Sequence, residues 1–196
     1  PCQNTFAFRV IMSRIFGLSY NRIRMVAPAI GGAFGGKLEV TVEPVAAVLS
    51  QMTGKPVKVE YNRKESILST RVRHASVNYV KTGFMKDGTL KAVDFKVYTN
   101  TGAYASSALN VSGAMSHKVF KAYKIDHMRF QCQPVYTNTE IAGAMRGYGS
   151  PQVYFGWQRQ MQKIADFLRM DMADLQMKNM VDPDSCDPIF HKPHGN

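Results

Sequence analysis

Two glycine-rich segments constrain this chain more than any other feature: Gly31-Gly32-Ala33-Phe34-Gly35-Gly36-Lys37 and Gly143-Ala144-Met145-Arg146-Gly147-Tyr148-Gly149. Glycine lacks a β-carbon, so clustered glycines admit left-handed backbone and let another chain or a ligand come close. They also interrupt regular elements, so each segment is predicted to be a loop. Arg22 to Ala27 (RIRMVA) alternates charged and apolar residues ahead of the first loop, which predicts a strand. A helix over about Val42 to Met52 should follow, with Pro44 in its first turn and Gly54 at its stop. Pro151 after the second loop predicts the start of an amphipathic helix running to about Leu168.

The remaining elements follow from the same signals. Thr5 to Phe16 carries Phe8, Ile11, Met12 and Ile15 at helical spacing, with Asn4 or Thr5 as N-cap and Gly17 as the stop. Pro56 to Tyr61 reads as a strand and Arg63 to Leu68 as a short helical turn. His74 to Met85 and Leu90 to Thr99 form a predicted hairpin, because Asp87-Gly88 supplies the positive φ its turn requires. Thr101 to Ala114 is ambiguous, Met128 to Tyr136 reads as a strand, and Asp171 and Asp174 should cap a last helix to Met180. The sum is an α+β chain, with one domain over residues 1–182 and a proline-broken loop or linker tail over 183–196.

Composition narrows the functional classes. No apolar run approaches the roughly 20 residues that cross a bilayer, and the N-terminal stretch does not separate charge from apolar residues as a signal peptide does. Cys2, Cys132 and Cys186 are odd in number and far apart, which argues for a reducing, cytoplasmic setting and against a zinc or iron-sulfur motif in this chain. The five histidines lack metal-ligand spacing, so no direct side-chain metal ligation is expected. The net charge of +11 fits nucleic acid, an anionic cofactor or an acidic partner alike, and the basic residues are scattered rather than run together.

Gly31 to Lys37 matches GxxxxGK, so a P-loop nucleotide-binding protein is one alternative. That loop needs a Ser or Thr hydroxyl next for magnesium, and Leu38 stands there. A basic nucleic-acid-binding module is another alternative, although the chain lacks the aromatic and basic sheet signature of an RRM. A third is an assembly fragment that binds nothing.

The first loop closely resembles the GGxFGGK segment of the molybdenum hydroxylases, the family of xanthine dehydrogenase and aldehyde oxidase. The resemblance extends further. Gln3 lies ahead of Phe34 at the family's spacing, and Glu43-Pro44 with Ala46-Ala47 resembles the EPxAA helix start of bacterial xanthine dehydrogenase subunits. Arg73-His74, the Lys86 to Thr89 turn, Asn100 to Tyr104 and Tyr136-Thr137-Asn138 recur in that order, and Arg146 to Gln152 resembles the family's RGxGxPQ segment.

This resemblance implies a piece of a larger enzyme: a molybdenum-cofactor-binding domain with mixed sheets and packed helices. It implies molybdenum on a molybdopterin, with the cytosine dinucleotide form as one option. Its partners would be a second molybdenum-binding domain, an iron-sulfur subunit and an FAD subunit. The reaction implied is hydroxylation of a purine, an N-heterocycle or an aldehyde with oxygen from water, and this piece alone should be inactive. By the same resemblance, Gly32, Phe34 and Gly35 would line the cofactor with backbone, and Gln3 would donate its amide to an oxygen on the metal. Arg146 would sit beside the cofactor as a further catalytic group, and Tyr148 would form part of the substrate wall. Two departures stand out: Leu38 and Ala114 occupy positions where mammalian members carry a substrate-binding Glu and Arg. The family's catalytic Glu belongs to a later segment, outside these residues.

Overall fold

Asn4, a residue whose short carbonyl side chain favours helix starts, accepts a hydrogen bond from Ala7 N–H and opens α1 (Thr5–Phe16), which Gly17 ends at φ 61°. A computed structural model describes residues 2–187, 192 and 193. Helix α1 buries Phe8 and Met12, whereas Ile11 and Ile15 of the expected stripe are exposed. Helix α2 (Glu43–Thr53) has Pro44 in its first turn and Gly54 as its left-handed stop. Helix α3 (Arg63–Ser69) begins with a reciprocal cap: Asn62 accepts from Glu65 N–H, and Glu65 accepts from Asn62 N–H.

Two expected strands are absent. Arg22 closes a short 3-10 turn, Tyr20–Arg22, and Ile23–Ala27 and Pro56–Tyr61 belong to no ladder. Alternation defines two faces of a segment, but a strand also needs a neighbour for its backbone N–H and C=O groups, and sequence pattern carries no information about that neighbour. The first glycine loop is therefore preceded by irregular chain rather than by a strand.

The second half carries the sheet. Strand β1 (Ser76–Phe84) pairs antiparallel with β2 (Leu90–Gly102), and β2 pairs in parallel with β3 (His127–Tyr136), giving the order β1-β2-β3. The hairpin turn closes as the Asp-Gly pair requires, with Gly88 at φ 86° and Asp87 accepting from Thr89 N–H. A parallel neighbour requires a crossover, and α4 (Ala108–Phe120) supplies it. The ambiguous segment thus divides: Gly102, at φ 72°, ends the strand, and a helix begins at Ala108. Helix α5 (Ser150–Leu168) packs on β1 and α4, and α6 (Met172–Asn179), capped by Asp171, packs on α5. With helices and a mixed sheet, the fold is α+β.

Period-2 burial makes β2 the centre of this half. Val93, Phe95, Val97 and Thr99 point inward, and Lys96 and Tyr98 outward. Trp157 of α5 is fully buried, with its ring 5.3 Å from that of Tyr123, edge to face. Buried Asn179 ties α6 to the hairpin: it donates to Gly88 O and Leu175 O and accepts from Leu90 N–H.

Beyond α6, Met180 bridges Tyr123, and a turn and a Cys186–Pro193 bridge follow; positions 188–191 and 194–196 of the expected linker lie outside the described residues. The chain divides into two compact units, Pro1–Arg73 with Gly143–Arg146, and His74–Ala142 with Gly147–Asn196. Among the described residues no helix is long and apolar enough to cross a membrane.

Candidate functional site

The first glycine loop is held by hydrogen bonds it makes with itself and with Gln3. Gly36 N–H donates to Ala33 O at 2.8 Å, and Leu38 N–H to Gly35 O at 3.1 Å. The Lys37 ammonium donates to Gly32 O at 2.8 Å, closing the loop end to end. Gln3 clamps it from outside: its Oε1 accepts from Gly35 N–H and Lys37 N–H, both at 3.1 Å, and its own N–H donates to Lys37 O at 2.8 Å. Because the amide oxygen is committed to the loop, the amide –NH2 is the end of Gln3 left to donate elsewhere.

These bonds fix Phe34 at φ 53°, a left-handed conformation that a bulky residue adopts only when its surroundings impose it. The residue is 63% exposed. Gly32 lies under its ring: a β-carbon there would stand 2.9 Å from Phe34 Cε2. Gly35, at φ 101°, is pressed against the backbone of Ala144 and Met145, so the two glycine-rich segments meet without side chains between them.

Arg146 lies in the same unit, with its guanidinium 5.1 Å from the centre of the Phe34 ring, within cation–π range. The backbone leading to it is anchored: Gly143 N–H donates to Val72 O at 3.0 Å, and the Arg73 guanidinium donates to Arg146 O at 2.7 Å. Beneath, Arg71 and Glu39 form a half-buried ion pair at 2.8 Å, with Gly143 packed against both. Four of the expected site residues, Gln3, Gly32, Phe34 and Gly35, therefore form one cluster, and Arg146 reaches it through the second loop.

Tyr148 belongs to the other unit. It has φ 45° between Gly147 at φ 91° and Gly149 at φ 96°, a run of left-handed residues that glycine alone tolerates readily. Lys118 of α4 holds this turn, donating to Gly147 O at 2.8 Å and Tyr148 O at 2.9 Å, and burial pushes its ammonium below the usual lysine range. Among the described residues only four non-glycine positions have positive φ, and Phe34 and Tyr148 are two of them.

Sequence reasoning missed Lys37 as a loop clasp, Arg73 as the anchor of Arg146, the Glu39–Arg71 pair and Lys118. Arg71 and Arg73 were legible as an Arg-Val-Arg-His string; no pattern marks Glu39 or Lys118. The Lys37 geometry also bears on the nucleotide alternative. A P-loop lysine serves phosphate, whereas this ammonium is spent on Gly32 O, and Leu38 offers no hydroxyl. Among the described residues no group of three or more His, Cys, Asp or Glu side chains is gathered as for a metal ion.

The donors available here are neutral or cationic: the Gln3 amide and the Arg146 guanidinium, with Arg73 engaged on the Arg146 carbonyl. Glu39, the carboxylate beneath them, is paired with Arg71. Such a set fits a ligand with anionic oxygens or sulfurs, approached closely by glycine backbone.

Comparisons with known proteins agree with this chemistry. Residues 1–180 match the molybdopterin cofactor-binding domain family. The chain is 35% identical over 185 residues to the xanthine dehydrogenase molybdenum-binding subunit of Escherichia coli O157:H7, covering 94% of this chain and 25% of that protein. It is 35% identical over 177 residues to the nicotinate dehydrogenase large molybdopterin subunit of Eubacterium barkeri, covering 90% of this chain and 42% of that one. Among solved structures, the aldehyde oxidoreductase of Desulfovibrio gigas superimposes with a TM-score of 0.89 at 29% identity, over 98% of this chain and 21% of that one. This chain thus spans between about a fifth and two fifths of the length of these three relatives.

Proposed function

The chain belongs to the molybdopterin cofactor-binding domain family, and from that premise we propose that it is the first cofactor-binding domain, residues 1–182, of a molybdenum hydroxylase of the xanthine dehydrogenase and aldehyde oxidase type, followed by a linker at 183–196. The observation that carries this reading is the double clamp of Gln3 Oε1 on Gly35 and Lys37, which leaves an oriented amide donor beside a glycine backbone.

When bound, the molybdenum–pterin group supplies oxygen-atom transfer from water to a carbon centre and takes up the electrons released. Gly32, Phe34 and Gly35 offer it a close backbone surface, in a loop that is tight because neither glycine carries a β-carbon against the Phe34 ring or the Ala144 backbone. Gln3 offers amide hydrogens to an oxygen that gains negative charge as the reaction proceeds, and a positioned neutral donor of this kind acts most strongly where charge develops. Arg146, steadied by its stack on Phe34, presents a planar cation to anionic oxygens and takes part in the reaction beside the cofactor. Tyr148 contributes an aromatic face to the substrate wall.

The substrate class is a purine, an N-heterocycle or an aldehyde, and the pterin is plain or carries the cytosine dinucleotide. The partners are a second molybdenum-binding domain, an iron-sulfur subunit and an FAD subunit, all in the cytoplasm. This domain alone does not turn over. It is neither a P-loop binder of ATP nor a nucleic-acid-binding module, consistent with the engaged Lys37 ammonium.

The test is to purify the full-length protein with its partner subunits, measure molybdenum and pterin content, and assay hydroxylation of xanthine, nicotinate and an aromatic aldehyde in labelled water. Stoichiometric molybdenum and incorporation of the label into product support the reading. A preparation with full iron-sulfur content that contains no pterin would overturn it.

A further inference from the structure

Arg73 has no part in the reading above, yet its guanidinium makes a contact that no other side chain among the described residues duplicates. Nη2 donates to the Arg146 carbonyl at 2.7 Å, while Nη1 is buried and has no hydrogen-bond partner among the described residues. The nearby Arg71 is neutralised by Glu39; neither Arg73 nor Arg146 takes part in an ion pair among the described residues. Among the described residues the bond to Arg146 O is thus the only polar tether of the Arg73 side chain, and a charged donor on a carbonyl is one of the stronger hydrogen bonds available. Any polar effect of Arg73 passes through Arg146.

Geometry shows what that tether controls. The Gly143–Arg146 backbone is held by Val72 O at its start, is pressed by Gly35 at Ala144 and Met145, and is tied by Arg73 at its end. The Arg146 carbonyl is the last of these attachments before the chain leaves the unit. The height of that carbonyl sets where the Arg146 side chain begins, and hence its position over Phe34, 5.1 Å from the ring centre. We propose that Arg73 is the positioning residue for Arg146: its side chain touches no cofactor and acts by fixing the Arg146 backbone so that the second guanidinium is presented to the ligand. This rests on the cofactor role assigned to Arg146.

The experiment is a double-mutant cycle in the full-length, cofactor-loaded enzyme with Arg73→Met, Arg146→Ala and the pair, supplemented by Arg73→Lys. The readouts are turnover per molybdenum and the half-life of bound molybdenum under dialysis, the second requiring no activity. Arg73→Met should lower turnover per molybdenum about tenfold and shorten cofactor retention. The double variant should be no worse than Arg146→Ala alone, because one residue acts through the other. Arg73→Lys, which retains a cationic donor, should recover most of both and serves if the methionine variant does not fold. Additive losses in the double variant, or a silent Arg73→Met beside a damaging Arg146→Ala, would overturn the positioning role and leave the cofactor reading intact. A silent Arg146→Ala would overturn the Arg146 assignment, and this inference with it.

Discussion

Gly35 and Ala144 are backed against each other so closely that a β-carbon on Gly35 would stand 2.7 Å from the Ala144 carbonyl carbon. That contact joins the two glycine-rich segments, and Gly35 is also at φ 101°, where a side chain is strained regardless of space.

Gly35→Ala is therefore expected to displace the loop rather than to be absorbed by it, at a cost of about 2 kcal/mol or more. In the full-length enzyme, thermal unfolding should shift down and molybdenum content should fall together. An alanine variant with unchanged melting temperature and full cofactor would show that the loop does not depend on this approach.

Gln3 separates clamping from donation. Gln3→Glu keeps an oxygen for Gly35 N–H and Lys37 N–H but removes the amide hydrogens, whereas Gln3→Ala removes both. The glutamate variant should keep near-normal stability and lose on the order of 10²-fold in turnover per molybdenum. The alanine variant should also lose thermal stability. Equal, near-normal turnover per molybdenum in both would remove the donor role.

Asp87 gives the hairpin a pH dependence. Its carboxylate accepts from Thr89 N–H and Thr89 Oγ1 and pairs with Lys178, which lowers its pKa to about 2 from 3.8. A carboxyl group with a depressed folded pKa contributes stability that is present above its unfolded value and lost as pH falls through the folded one. The turn should therefore loosen as pH drops from about 4 to about 2. Urea titrations across that range should show a slope that Asp87→Asn reduces, and identical slopes would count against the assignment.

Asn179 is buried and makes three side-chain hydrogen bonds, all to backbone, at Gly88, Leu175 and Leu90. Asn179→Ala leaves those groups without this partner and should cost about 2 to 4 kcal/mol, read as a lower urea midpoint with an unchanged m-value. A change below about 0.5 kcal/mol would mean that water replaces the side chain fully.

Local signals were read correctly where they were sufficient in themselves. Asn4 and Gly17 bound α1, Asp87-Gly88 turns the hairpin, and Asp171 caps α6, because each acts on backbone within a few residues. The Arg22–Ala27 and Pro56–Tyr61 strands failed for the opposite reason: a ladder needs a partner that alternation does not identify. The helix at Ala108–Phe120 was obscured by small residues with weak periodicity, and it became necessary only once β3 paired in parallel with β2.

By itself the sequence determined the two loops, most helix boundaries and which residue types stand ready at the candidate site, since glycine freedom, capping and family motifs are written in short strings. The tertiary structure alone decided that Gln3 spends its oxygen on the loop, that Lys37 closes on Gly32 instead of facing a phosphate, and that Arg73 holds Arg146. Those are contacts between segments distant along the chain or between competing acceptors, and their outcome depends on distances that only packing sets.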